Sequence, residues 1–461
     1  MSDLCELSLA ELSEQIHAGA VSPLEATEAC LRRIEARDGE LNAFLTVTAE
    51  SAREEARRLG EELAADKWRG PLHGVPLALK DLYLTKGVRT TAGSDILRDW
   101  VPDRDATVVR RLRQAGAVLL GKLGMHEFAY GPTSVNPHYG ATRNPVNREY
   151  MTGGSSGGSG TAVGAGFCFG ALGSDTGGSI RCPAALCGIV GLKPTYGRVS
   201  RAGVLPLAWS LDHVGPMTRT VMDSALMLEA LAGADPEDAT CSQRPVPAYG
   251  RLLAEMREVS LGGLRLGVPE EMFWDPIQPG VAETVRNAIT RLEAAGASVR
   301  PVSIPSLEYC FAPQTVILAS EATAYHLKML RKHAERYDPA VRVRLLQGLF
   351  YSGADYVNAQ RAQRRMREEM LECMRHVDAL VTPTVPLVAP RLDATEIRVG
   401  NVTALPAQYL VRNTSPFNLT GFPAISVPCG LSEGLPVGLQ IAGRPWEEST
   451  VLRIAQAAEA A

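Results

Sequence analysis

Along this chain, stretches in which apolar residues recur every three or four positions take turns with short apolar runs. Residues 106–122, "ATVVRRLRQAGAVLLGK", read as an amphipathic helix, a glycine stop and a strand, and 281–301, "VAETVRNAITRLEAAGASVRP", repeat the pattern. Helical character over 364–376 runs in the same way into "VDALVTPTVP". Helix-to-strand units repeated in this manner predict a sheet covered by helices on both faces. Toward the C-terminus, "PAISVPCG" and "LPVGLQIAG" lie either side of "LSEGL" and predict a hairpin, which makes the sheet mixed. The first seventy residues read as helical: Ser8-Leu9-Ala10-Glu11 and Ser22-Pro23-Leu24-Glu25 both match the capping box, the second with proline at the first helical position. No repeat or low-complexity linker divides the chain. The pattern predicts one large α/β domain over 1–461, with the helical segment 1–70 packed on it.

Composition narrows the class. With 461 residues, 45% hydrophobic and 21% charged, the chain has the make-up of a soluble globular protein rather than a disordered one. A net charge of −4 and a pI near 6.1 leave no basic footprint for nucleic acid or for an anionic membrane. The densest basic run, "RAQRRMREEM" from Arg361, is interleaved with acids and reads as a solvated helix face. Nine cysteines, an odd number without C-x-x-C pairs, read as reduced core thiols. The first residues carry acids and no apolar run, so no secretory signal is expected and the cytoplasm is the expected compartment.

Chemistry concentrates in 149–181, "EYMTGGSSGGSGTAVGAGFCFGALGSDTGGSIR", where twenty-five positions between Glu149 and Asp175 carry no charge. A linker would be followed by a boundary, yet "TAVGAGFCFGALG" continues with small apolar residues at helical spacing, which suits a closely packed helix. The first half of the stretch is glycine and hydroxyl rather than Leu or Ile, against a membrane span. A phosphate loop needs a lysine, and none lies between Lys122 and Lys193. Gly153-Gly154-Ser155-Ser156-Gly157 formally matches the G-x-S-x-G elbow of α/β-hydrolases. That elbow needs a histidine, but His326, His333 and His376 sit in charged helical patterns typical of surface. A base of another kind is offered by Lys80, which ends the apolar run Val75 to Leu79 in "HGVPLALKDLYLTKG". A lysine buried there is either paired, with Asp81 for example, or has its pKa lowered by desolvation, and a neutral lysine is a base.

Together these segments resemble the amidase signature family. The resemblance rests on "GVPLALKD", "GGSSGGSG", "GSDTGGSIRCPAALCGIVGLKPTYGRVS", "DALVTPTVP" and "NLTGFPAISVPCGL" with "GLPVGLQIAGRP", and so spans nearly the whole chain. It implies an α/β/α sandwich on a large mixed sheet, and hydrolysis of a carbon–nitrogen amide bond through a serine acyl-enzyme. Carried over position by position, Lys80 falls on the family's lysine, Ser155 on its bridging serine after a cis peptide bond, and Ser179 on its nucleophile. The twenty-four residues between the two serines match the family's usual spacing.

The chemistry stands on its own terms. A serine hydroxyl needs a base, and the proton would pass from Ser179 through Ser155 to neutral Lys80. The small residues of "DTGGS" allow the N–H groups of Thr176, Gly177, Gly178 and Ser179 to meet an oxyanion. Ser174, Asp175 and Arg181 are expected to orient this loop by hydrogen bonds. Ser156 is expected to cap the following helix, and Cys182 and Cys187 to be core thiols. Phe128 and Tyr130 in 125–140, with Tyr309, Phe311, Phe350 and Tyr351 in 305–355, are candidates for an apolar pocket wall.

A small-molecule amide is the expected substrate, with no metal, no cofactor, no nucleic acid and no membrane, and a homodimer is an allowed assembly. Three alternatives remain open. One is the glutamine-hydrolysing subunit of tRNA-dependent amidotransferases, which "EFAYG", "TRNP" and "GLKPTYGRVSR" resemble. Those subunits usually carry R-Y-D-G where this chain has Arg336-Tyr337-Asp338-Pro339, and an acid where it has Val411, so a stand-alone amidase is favoured. The others are a carbamoyl-type hydrolase of biuret or allophanate character and a non-catalytic binding protein on the same fold.

Overall fold

Eleven strands form one mixed sheet in the computed structural model, which describes residues 3–255 and 260–460. From edge to edge they are Phe44–Val47, Val118–Leu123, Pro76–Lys80, Gly170–Asp175, His213–Thr218, Val190–Lys193, Ala424–Ser432, Leu435–Gly443, Ala379–Pro383, Arg265–Pro269 and Ser298–Val302. Pro76–Lys80 runs parallel to both of its neighbours, whereas the middle of the sheet from His213–Thr218 to Leu435–Gly443 is antiparallel. Helices flank the sheet, as the alternation of helical and strand patterns predicted. Pro76–Lys80, Gly170–Asp175 and Leu435–Gly443 are buried at every position, which is why they read as continuous runs rather than as alternating ones.

The expected helix-to-strand units are present. Thr107–Gln114 buries Val108, Val109 and Leu112 and leads to Val118–Leu123; Pro279–Ala294 leads to Ser298–Val302, and Gly353–Cys373 to Ala379–Pro383. Each aliphatic side chain buried in this way stabilises the fold by about 1.5–3 kcal/mol. Both N-terminal capping boxes form, Ser8 with Glu11 and Ser22 with Glu25. A second buried cluster, with Phe273, Phe417, Phe422, Met366 and Met370, lies where Gly353–Cys373 packs on Ser415–Thr420. Among the described residues no helix is long and apolar enough to cross a membrane.

Three local expectations are corrected. The hairpin turn is shorter than "LSEGL": Ser432 pairs with Leu435, and Glu433 and Gly434, both at positive φ, form a two-residue turn whose twist suits the strands. Within 1–70 the structure adds the edge strand Phe44–Val47, antiparallel to Val118–Leu123. The helix expected over "TAVGAGFCFGALG" instead covers Gly157–Gly164. It stops where Gly166, at φ +70°, and Phe167 turn their N–H groups back to Val163 and Ala162, and Gly170–Asp175 is a strand. Small residues suit that strand because a side chain at Gly173 would strike Ile180 and Met217.

Candidate active site

Two adjacent parallel strands end at the same place. Leu77 to Leu79 pair in register with Gly170 to Leu172, which carries Lys80 to the level of Gly173, one residue before Ser174, at the carboxyl ends. Crevices at such ends are the usual location of ligand sites in open α/β sheets. The 153–157 turn, which enters the helix Gly157–Gly164, closes over them, and its peptide bond between Gly154 and Ser155 is cis. Lys80 Nζ lies 2.7 Å from Ser155 Oγ and 2.9 Å from the hydroxyls of both Ser156 and Ser174. All four residues are buried. Burial pushes the Lys80 amine down to about 7, against the attraction of the Asp175 and Asp212 charges.

A neutral amine donates two hydrogen bonds and accepts one, so one of the three hydroxyls must donate to Nζ. Ser156 Oγ already donates to the Ser174 carbonyl at 3.2 Å, which leaves it to accept from Lys80. The donor is then Ser155 or Ser174, and Ser155 is the closer. Ser156 therefore does not act as the side-chain cap that its position suggested: it stands at the N-cap, but its hydroxyl makes no capping bond and turns to Lys80 instead.

The loop that follows Gly170–Asp175 is built around a buried ion pair. Asp175 and Arg181 are fully enclosed, with Arg181 Nη2 3.0 Å from Asp175 Oδ1 and Nε 3.1 Å from Oδ2. Asp175 Oδ2 also accepts the N–H groups of Ile180 and Arg181, and Asn418 Nδ2 donates to Oδ1 at 2.8 Å. Burial alone would raise the Asp175 carboxyl, but the Arg181 guanidinium, with Lys193 and the Asn418 amide, outweighs it and holds the group below the usual carboxylate range. Ser179 on this loop is buried, 6% exposed, and among the described residues its hydroxyl makes no hydrogen bond. The N–H groups of Thr176, Gly177, Gly178 and Ser179 have no acceptor among the described residues either. Thr176 Oγ1 donates to Asp212 at 2.6 Å.

Cys182 and Cys187 are buried, and burial pushes the Cys182 thiol up to about 12, far from a thiolate at neutral pH. Phe128 packs its ring against His326 and Tyr337, while the Tyr130 carbonyl accepts from Arg344 Nη1 at 2.6 Å. Tyr309 and Phe350 point to solvent, 71% and 85% exposed. His326 is not a surface residue: it is buried, and its Nδ1 lies 3.0 Å from the Tyr337 hydroxyl. A cleft of about 280 Å³, lined by Ala129, Ser174, Leu207, Trp209, Asp212 and His213 among others, adjoins the cluster. That volume suits a small ligand. A larger cleft of about 810 Å³ beside the edge strand Phe44–Val47 contains none of the clustered hydroxyls.

Sequence reasoning passed over several residues that hold the site. Asn418 lay inside the quoted "NLTG" without a role. His126, whose N–H donates to the Ser155 carbonyl at 3.1 Å, lay inside 125–140. Gln314 and Thr414, which bind the loop carbonyls of Thr176 and Gly177, carried no signal at all.

Comparison with known proteins agrees with this fold. The family model described as Amidase matches residues 25–452. A glutamyl-tRNA(Gln) amidotransferase subunit of Moorella thermoacetica is 45% identical over 480 residues, spanning 99% of this chain and 97% of that protein. A solved structure described as an unexpected vestigial protein complex that reveals the evolutionary origins of an s-triazine catabolic enzyme superposes with a TM-score of 0.94. It is 39% identical, over 98% of each chain. The native peptide amidase of Stenotrophomonas maltophilia superposes with a TM-score of 0.87 at 33% identity, over 99% of this chain and 96% of that one.

Proposed function

This chain belongs to the amidase family, and from that premise we propose that Ser179, Ser155 and Lys80 hydrolyse the carbon–nitrogen bond of a small-molecule amide through a serine acyl-enzyme. The observation that carries the reading is the 2.7 Å contact between Lys80 Nζ and Ser155 Oγ in a shell of hydroxyls, with the amine pushed down to about 7. In this mechanism Ser179 Oγ attacks the carbonyl carbon, its proton moves to Ser155 Oγ, and the Ser155 proton moves to Lys80 Nζ. The same relay runs backward to protonate the leaving nitrogen, the C–N bond breaks, and a water molecule repeats the sequence on the acyl-enzyme. The unpaired N–H groups of 176–179 receive the oxyanion, where the loss of one such donor typically costs about 10²–10³ in rate.

A second reading has the chain hydrolyse glutamine within an amidotransferase complex, and the name carried by the Moorella relative favours it. Against it stands Val411, whose Cγ1 lies 3.2 Å from where a Cβ would sit on Gly178, so an apolar group borders the loop at the position expected to carry an acid. Pro339, in place of the glycine of R-Y-D-G, opens the helix Pro339–Gln347. A carbamoyl substrate is the third reading, and the likeness to a structure linked to s-triazine catabolism favours it. The test is a screen of primary amides, anilides, carbamoyl compounds and glutamine, with Ser179→Ala as the control. Turnover of a free amide or carbamoyl compound that disappears in folded Ser179→Ala supports the proposal. Turnover of glutamine alone would move the assignment to the amidotransferase reading, and turnover surviving in Ser179→Ala would overturn the serine mechanism.

A further inference from the structure

Four successive carbonyls in the Ser179 loop are tied down, and each has a different partner. The Asp175 carbonyl accepts from Asn418 Nδ2 at 2.8 Å and the Thr176 carbonyl from Gln314 Nε2 at 3.0 Å. The Gly177 carbonyl accepts from Thr414 Oγ1 at 2.6 Å and Ser415 Oγ at 3.2 Å, and the Gly178 carbonyl from the N–H of Cys182 at 2.7 Å. Cis peptides occur elsewhere, at Gly154–Ser155 and Asp275–Pro276, so these four are trans. In a trans peptide the C=O and the N–H point in opposite directions. Fixing the carbonyls of 175–178 therefore fixes the N–H groups of 176–179 on the other side, and those are the four that lack an acceptor among the described residues.

The partners come from well-separated parts of the chain: Gln314 from the helix Phe311–His333, and Asn418 and Ser415 from the helix Ser415–Thr420, which Thr414 precedes. Gln314 and Thr414 are themselves buried, and the donor role of Gln314 is forced, because only its Nε2 can face a carbonyl. Gly178 stands at φ +141°, and a Cβ there would collide with the Thr414 side chain, so the approach of the clamp requires glycine. We propose that Gln314, Thr414 and Asn418 form a carbonyl clamp, positioning residues that turn the loop N–H groups of 176–179 toward the developing oxyanion. The proposal rests on the serine mechanism given above.

Diisopropyl fluorophosphate tests it without knowledge of the natural substrate. Ser179 Oγ bonds to phosphorus, fluoride leaves, the serine proton passes to the relay, and the phosphoryl oxygen takes the place of the oxyanion. Labelling is followed by intact mass and mapped by peptide mass. Thr414→Val, which loses the hydroxyl and keeps the shape, is expected to slow labelling by about tenfold to a hundredfold, a fraction of the loss of an oxyanion donor itself. The pH midpoint of labelling stays where it is in the wild type, because Lys80 is untouched, and Thr414→Ser returns the rate to within about threefold. Gln314→Leu, which releases the neighbouring carbonyl from another helix, gives the same test should Thr414→Val fail to fold. Wild-type labelling rates in folded Thr414→Val and Gln314→Leu would overturn the clamp, as would slowing that comes with a shifted midpoint or that Thr414→Ser does not relieve. Absence of a Ser179 adduct in the wild type would overturn the serine mechanism and the clamp with it.

Discussion

Two fully buried lysines stand on neighbouring strands of the sheet and meet different surroundings. Lys122, on Val118–Leu123, lies 3.3 Å from the Asp81 carboxylate and donates to the Tyr83 carbonyl at 2.7 Å and to Thr90 Oγ1 at 2.6 Å. Lys80, on Pro76–Lys80, touches three hydroxyls and, among the described residues, no carboxylate. Burial lowers both amines, but at Lys122 a paired carboxylate pulls against it, whereas at Lys80 only the more distant charges of Asp175 and Asp212 do. The contrast separates a lysine that closes a structural ion pair from one free to give up its proton. Asp81 adjoins Lys80 in sequence, yet the fold places it with Lys122, so Lys80 is left without that carboxylate as a partner.

Exchanging the roles of the two lysines breaks the comparison most sharply. Lys80→Met is expected to lower kcat/KM by roughly 10³- to 10⁵-fold, because the proton relay ends there. The Tm should hold or rise, since a hydrocarbon replaces an amine enclosed without a counter-charge in contact. Lys122→Met should do the reverse. It strands the buried Asp81 carboxylate and costs about 3–5 kcal/mol of stability, read as a lower denaturation midpoint, while the activity of each folded molecule is unchanged. A Lys122→Met enzyme that folds well and loses its chemistry would erase the distinction.

Smaller substitutions sharpen the same contrast. Ser156→Ala removes one acceptor from the Lys80 shell but leaves Ser155 in place, so the expected loss is about twofold to tenfold in kcat, the worth of one hydrogen bond between neutral groups. Steady-state rates at fixed pH check it, and a loss as large as that of Lys80→Met would mean that Ser156, not Ser155, carries the proton.

The sequence singled out Lys80, Ser155 and Ser179 because they stand in motifs whose glycines and hydroxyls have few other uses, and the contact of Lys80 with Ser155 was legible because an apolar run ending in lysine declares a buried amine. It also showed the helix-to-strand units, where a long 3.6-residue period meets a short apolar run. The shell around Lys80 was less legible: Ser156 and Ser174 reach it only through a turn and a strand end whose register no periodicity reports. Gln314 and Thr414 reach the Ser179 loop from far along the chain, and a single polar residue on a helix does not announce which carbonyl it will meet. His326 was misjudged for a related reason, since its polar neighbours in sequence face outward while it turns inward to Tyr337 and Phe128. The misplaced helix near Phe167 reflects the ambiguity of glycine and alanine, which pack closely in helices and in central strands alike.

The central claim is that a neutral Lys80 accepts the proton, and its pH dependence tests that claim most directly. An amine lowered to about 7 is protonated below that pH and free above it, so the base-competent fraction grows as pH rises through neutrality. The measurement is the rate of Ser179 labelling by diisopropyl fluorophosphate as a function of pH, in the wild type and in Lys80→Met. The account predicts a wild-type rate that climbs with a midpoint near 7 and a plateau on the alkaline side, and a variant that is slow with no midpoint there. A rate that is flat through neutral pH, a midpoint that persists in Lys80→Met, or an adduct that maps to Cys182 would contradict it.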